Sequence, residues 1–317
     1  MTLPDDIALR SALATRAYSA NTVRLADPDL SGATHVLATR DGLFATDGAA
    51  LRRIAYGMFY GIAIEPHAIL AFEACDRPRE PTARGRIVRL PYAYGRITGA
   101  EILATGLDNG CHQIDLIDGR LCVTDTYRQR VLRFTREGGA PETLSPLPPA
   151  ATNDWAGGYA HVNSLIARGQ DILLLLHNGA DHTGRPSQVL RLTRDWRPVG
   201  RVPLAGHGCH GLAVLEDDTV LSCGSLAGEL VSTDGRRVKI CDMMTRGLSV
   251  GDDGVVVGGS AFAGRAARDT AAGALFFLDR DYRLQARLAV PAPVMEVRRL
   301  DGRDRSLSAH LAAVSAA

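Results

Sequence analysis

The sequence predicts an all-β fold, a six-bladed β-propeller of four-stranded blades whose ring is closed by joining the N- and C-terminal strands. Three observations predict it. Beyond residue 30 the chain is almost entirely short apolar runs broken by Gly, Asp and Asn, the mark of strands and tight turns. A four-part phrase of strand and turn recurs with a period of about 36 to 52 residues, the length of one propeller blade. The two ends carry complementary fragments of that phrase, and joining them leaves no exposed sheet edge in the ring.

In chain order, residues 1–30 form an N-terminal extension. Its DDIALRSALATRAYSAN stretch reads as a short helix that would cover one face or end of the ring. The propeller itself is assigned to residues 31–305. HVLATRDG, GLFATDG and LRRIA supply the last three strands of one blade. Five complete units follow, opening near Tyr60, His112, His161, His210 and Arg246. The unit after His112 reads HQIDLIDG, RLCVTDTYR, RVLRFTREG and PETLSPL, and the later ones repeat the same rhythm. VMEVRRLDG supplies the missing first strand of the split blade. The last twelve residues, SLSAHLAAVSAA (306–317), read as a weakly helical or frayed tail.

Composition narrows the function. Apolar residues make up 46% and charged residues 22% of 317, so a packed core is expected rather than disorder. The net charge of +1, with no basic stretch interleaved with aromatics, argues against nucleic acid as a partner. Lys239 is the only lysine and falls in an outer-strand pattern, which removes Schiff-base chemistry. None of the six cysteines forms a CxxC pair. They read as buried reduced thiols, or, for Cys111 and Cys209 beside two histidines, as soft ligands or redox partners of a metal. MTLPDDIALR has no basic start followed by an apolar run, and DILLLL is too short to span a bilayer. The expected location is the cytoplasm and the expected partner a small molecule, with oligomeric state left open.

At Asp125–Phe134, DTYRQRVLRF resembles the D-T-x-N-x-R-V-x-x-F phrase of the NHL and SMP-30/gluconolactonase-like propellers, with Arg128 where that phrase often has Asn. HVNSL and CHGL resemble inner strands of a bacterial propeller group with a C-H-x-N-G-L motif. The resemblance implies the fold, and with SMP-30-like hydrolases it implies lactone hydrolysis. Because propellers host many chemistries, the site must carry the functional argument.

In a propeller the first strand of each blade lines the central channel. The residues leading those strands are Tyr60, His112, His161, His210, Arg246 and, last, Met295 or Glu296. His112, His161 and His210 recur every 49 residues. Three imidazoles on one ring suit a divalent transition metal, with Fe, Mn, Zn and Ni all compatible. Glu296 would be a fourth ligand or a general base. The alternative is that the histidines cap turns between blades. A shared structural cap should appear in more than three blades, which favours the metal. Arg246 would offer its fork to a carboxylate or phosphate. Tyr60 and His177 would move protons, and His177 is also a possible nitrogen ligand. Asn163 would position substrate or orient His161, and Trp155 and Tyr159 would form an aromatic wall over the mouth. Asp115 would orient His112 or make a cross-strand bond. This constellation suits a metal-dependent lyase or hydrolase acting on a small polar or anionic substrate. Histidine-rich propeller sites resemble those of oligogalacturonate and streptogramin lyases. An Fe(II)-dependent oxygenase and a non-catalytic binding propeller are the alternatives.

Overall fold

A computed structural model describes residues 22–76, 83–264 and 267–308. Six antiparallel four-stranded blades stand in a ring. Blade 1 joins Val294–Arg299 to His35–Thr39, Gly42–Thr46 and Leu51–Ala55, so the two chain ends close the ring as expected. Blade 2 runs from Phe59–Glu65 through Ala68–Ala74 and Gly85–Ala93 to Glu101–Leu107. It also carries a small added hairpin strand, Arg96–Ile97. Blade 3 opens at Ile114–Ile117, blade 4 at Val162–Arg168, blade 5 at Cys209–Val214 and blade 6 at Met244–Val250. These first strands touch one another around the axis.

Burial follows that geometry. The second strands are buried almost throughout, as in Ala68–Ala74 and Val255–Ser260. The fourth strands, such as Pro198–Pro203, face water. Apolar side chains from facing sheets fill the wedges between blades. In blade 3, Arg130 Nε donates to Asp125 Oδ2 at 2.7 Å, pinning the turn between the second and third strands. The D-to-R spacing of the DTYRQR phrase therefore serves the fold.

Both ends depart from the sequence reading. The expected N-terminal helix lies outside the described residues. Residues 24–27 run along the outer strand of blade 1, with Ala26 N–H donating to Ile54 and Asp27 N–H to Arg53. At the other end, residues 306–308 are buried rather than frayed. Asp304 accepts from Ser249 Oγ, Val250 N–H and Arg299 N–H. Ser306 Oγ accepts from Arg298, and Ser308 donates to Asp115 Oδ2 while accepting from Ala167 N–H. This segment thus crosses blades 1, 6, 5, 4 and 3 at the ends of their inner strands, opposite the histidines. It closes one end of the channel. No helix among the described residues is long and apolar enough to cross a membrane.

Candidate metal centre in the channel

The inner strands of blades 2, 4, 5 and 6 are irregular where they approach the axis. Pairing with the second strand slips between Phe59 and Ile62, Val162 and Ser164, His210 and Ala213, and Thr245 and Leu248. Such bulges turn a side chain out of the sheet and toward a site. In blades 2, 5 and 6 the leading residue is followed by glycine. A Cβ on Gly61 would come within 2.6 Å of the His112 carbonyl oxygen, so only glycine admits the next blade at that approach.

The three histidines come together: one ring nitrogen from each of His112, His161 and His210 lies within 4.8 Å of the others. They arrive by two routes. Ile114 pairs with Val123 and Leu165 with Leu174, each three residues before the end-of-strand residues Thr126 and His177. That register sets Asn163, not His161, level with His112. His161 stands two residues earlier, in a left-handed conformation at φ 52°, which is sparsely populated for a non-glycine residue. The 49-residue recurrence therefore does not mark equivalent positions. His161 reaches the cluster from above, and Asn163 takes the place it was assigned.

Hydrogen bonds orient the rings. His112 Nδ1 lies 2.7 Å from the Gly110 carbonyl and 3.0 Å from Thr126 Oγ1. His210 Nδ1 repeats this with the Gly208 carbonyl at 3.0 Å and Ser225 Oγ at 2.9 Å. A carbonyl only accepts, so both Nδ1 atoms carry the proton and both Nε2 atoms keep a lone pair. His161 Nδ1 meets Tyr159 Oη at 3.1 Å, and that hydroxyl donates to the Thr126 carbonyl. It accordingly accepts from His161 Nδ1. Burial, followed by the charge of Arg246, holds His112 and His210 well below the usual imidazole range. They are neutral at pH 7, the state in which imidazole binds metals.

His177 completes a quadrilateral of rings, 5.0 Å from His161 and 5.3 Å from His210. It follows its second strand where blades 3 and 5 place Thr126 and Ser225. Its Nδ1 accepts from Gly179 N–H at 3.1 Å, so the neutral ring carries its proton on Nε2. Burial pushes it down to about 4. It lies beside the ligand group rather than within it.

Beside His112 and His210 is a small cavity with room for about one water molecule, walled by Tyr60, His112, His210, Arg246 and Glu296, with Gln113, Asn163 and Ser164 also facing it. Arg246 makes no ion pair or side-chain hydrogen bond with the described residues. Its guanidinium lies 5.7 Å from the Tyr60 ring centre, as does that of Arg40, which pairs with Asp269. Burial brings Arg246 down to about 10. Among the described residues the Tyr60 hydroxyl has only the weak acceptor Met58 Sδ, at 4.0 Å.

Other expectations are corrected. Glu296 faces the cavity and lies outside the group of three histidines, its Oε1 accepting from Arg298 Nη1 at 2.8 Å. Burial raises it to about 7. Tyr159 is buried, its ring 4.9 Å from that of Trp155 and its hydroxyl against His161 Nδ1. Trp155 stacks on His182 at 5.6 Å and lies tilted 6.4 Å from His161. Asp115 faces the closed end and Ser308, away from His112. Cys111 and Cys209 are buried thiols that burial pushes up, Cys209 to about 12, so neither offers a thiolate. Gln113 had not been singled out from sequence, where it reads as one more polar residue in an alternating strand.

Comparison with known proteins gives likeness of fold. No protein-family profile matches the chain, and no curated protein matches it. Among solved structures, a chain of a nidogen/laminin complex is similar at TM-score 0.61 and 8% identity, over 85% of this chain and 98% of that one. A protein of unknown function from Bacteroides caccae is similar at TM-score 0.53 and 13% identity, over 84% and 98% of the two chains. A protein assigned provisionally as a gluconolactonase is similar at TM-score 0.52 and 16% identity, over 87% and 89%.

Proposed function

We propose that this propeller is a metal-dependent enzyme, a lyase or hydrolase, with His112, His161 and His210 as the ligands. One observation carries the reading. His112, His161 and His210, from consecutive blades, each bring a ring nitrogen to within 4.8 Å of the others, and each Nδ1 is held by a protein group. Metal-binding histidines are characteristically held this way, because the outer hydrogen bond fixes the tautomer and raises ligand basicity. Three nitrogen ligands leave a position open, and a metal there would polarise a substrate oxygen or lower the pKa of a bound water.

The surrounding residues divide the remaining work. Arg246, without a carboxylate partner, binds negative charge on the substrate or the charge that develops on an oxygen. His177 presents an Nε2 proton at the edge of the ligand group, and Tyr60 a hydroxyl without a strong acceptor. Either is suited to donate to a leaving or developing oxyanion. Glu296, raised to about 7, accepts a proton in the cavity wall. Trp155 limits access of water at the mouth. A hydrolase reading also accords with the fold shared with the protein provisionally assigned as a gluconolactonase.

The test is elemental analysis of purified protein after mild chelation and reloading with Fe(II), Mn(II), Zn(II) or Ni(II). The expected result is about one metal ion per chain, as a single three-histidine site requires, lost in His161→Ala while the circular dichroism spectrum is kept. Retention of none of the four would overturn the metal reading and favour a binding propeller.

A further inference from the structure

Side chains tie the inner strands of blades 3, 4 and 5 together beside the histidines they carry. In blades 2, 5 and 6 the residue after the leading one is Gly61, Gly211 or Gly247, but in blades 3 and 4 it is Gln113 or Ser164. Gln113 Oε1 accepts from Leu165 N–H of blade 4 at 2.7 Å, and Ser164 Oγ accepts from Gly211 N–H of blade 5 at 3.0 Å. Asn163 Nδ2 also reaches blade 5, donating at 2.8 Å to the carbonyl of Cys209, which precedes His210. These bonds orient both amides. They leave Gln113 Nε2 as a donor and Asn163 Oδ1 as an acceptor, each buried and without a partner among the described residues. Both residues are 2% exposed and line the cavity beside His112 and His210. An unpaired buried polar group is costly and is normally satisfied by protein or water. A cavity with room for about one water, faced by one donor and one acceptor, meets the requirement for a buried structural water.

We propose that one water joins Gln113 Nε2 to Asn163 Oδ1, and that the completed chain of hydrogen bonds positions the three metal ligands. Each member donates to the next: Leu165 N–H to Gln113, Gln113 to the water, the water to Asn163, and Asn163 to the Cys209 carbonyl. The chain crosses the two blade boundaries that separate His112, His161 and His210. Gln113 and Cys209 are the covalent neighbours of His112 and His210. Gln113 and Asn163 are thus positioning residues, acting on a metal only through the strands that carry its ligands. The role rests on the three histidines being the ligands, as proposed above.

The experiment is chelator competition for Zn(II), together with the Co(II) absorption spectrum, on the full-length protein and its variants. Gln113→Met and Asn163→Leu each cut the chain at similar side-chain size. Affinity is expected to fall about 10- to 100-fold in each, the range for residues that orient metal ligands, with an altered Co(II) spectrum. The double variant should bind little more weakly than either single one, because both cut the same chain. Ser308→Ala removes hydrogen bonds at the far ends of the inner strands of blades 3 and 4. It should leave affinity and spectrum unchanged, which separates positioning from general loss of stability. Equal losses in Ser308→Ala, or unchanged affinity and spectrum in both amide variants, would overturn the positioning role. The water is judged by its density in a high-resolution crystal structure of the unaltered protein, where a direct bond between the two amides would overturn it. Absence of metal from the unaltered protein would overturn the ligand reading, and the positioning role with it, while the density still decides the water.

Discussion

Thr126 serves two histidines at once, through its hydroxyl to His112 and through its carbonyl to the Tyr159 hydroxyl that holds His161. The ligand set is thereby coupled through residues that never reach the ligand point. Replacing Tyr159 by Phe removes the acceptor for His161 Nδ1 and frees the ring to change tautomer. Metal affinity, measured by competition with a chelator, is expected to fall about 10- to 100-fold, and an unchanged affinity would show that the bond does not orient the ligand. His112 and His210 were legible because a residue type survives at equivalent positions of a repeat. The offset of His161 was not, since a left-handed residue and a bulge move a side chain without changing any spacing in the sequence. Gln113 was hidden for a related reason: its unused donor exists only because Leu165, from the next blade, takes the other end of the amide.

At the scale of elements, the blades were readable throughout, because strand alternation and turn residues are local signals. The segment Asp304–Ser308 was not, because its burial depends on partners in five blades that no local pattern reveals. Asp115 is the clearest member of that contact. Burial raises its carboxyl to about 6, with the Ser308 hydrogen bonds opposing the rise, against an ordinary value of about 3.9. A carboxyl raised on folding binds its proton more tightly in the native state, so its contribution to stability declines as pH climbs from about 4 through 6. Asn at this position has no such dependence. Between pH 5 and 7, the stability of the unaltered protein relative to Asp115→Asn should therefore fall by about 1 kcal/mol. Denaturant titrations at the two pH values would measure it, with contributions from the histidines cancelling in the difference. A difference independent of pH would mean that Asp115 ionises normally.

For the whole molecule, the ring is held by contacts between adjacent blades and by one closing sheet in blade 1. Each blade thus depends on its neighbours more than on any shared central core. The proposed ligands come from blades 3, 4 and 5, so one ion would join half the ring across its axis. A metal that binds the native state and not the unfolded chain stabilises by mass action, by about 2.7 kcal/mol at a hundredfold excess over Kd. For a chain of this length that corresponds to a rise in Tm of about 4 °C. The rise should vanish in His161→Ala and be absent in the presence of excess chelator. It should survive in Arg246→Ala, whose side chain faces the same cavity without supplying a ligand. If Arg246→Ala also lost the rise, metal binding would depend on Arg246 and not on the three imidazoles alone, and the ligand assignment would have to change.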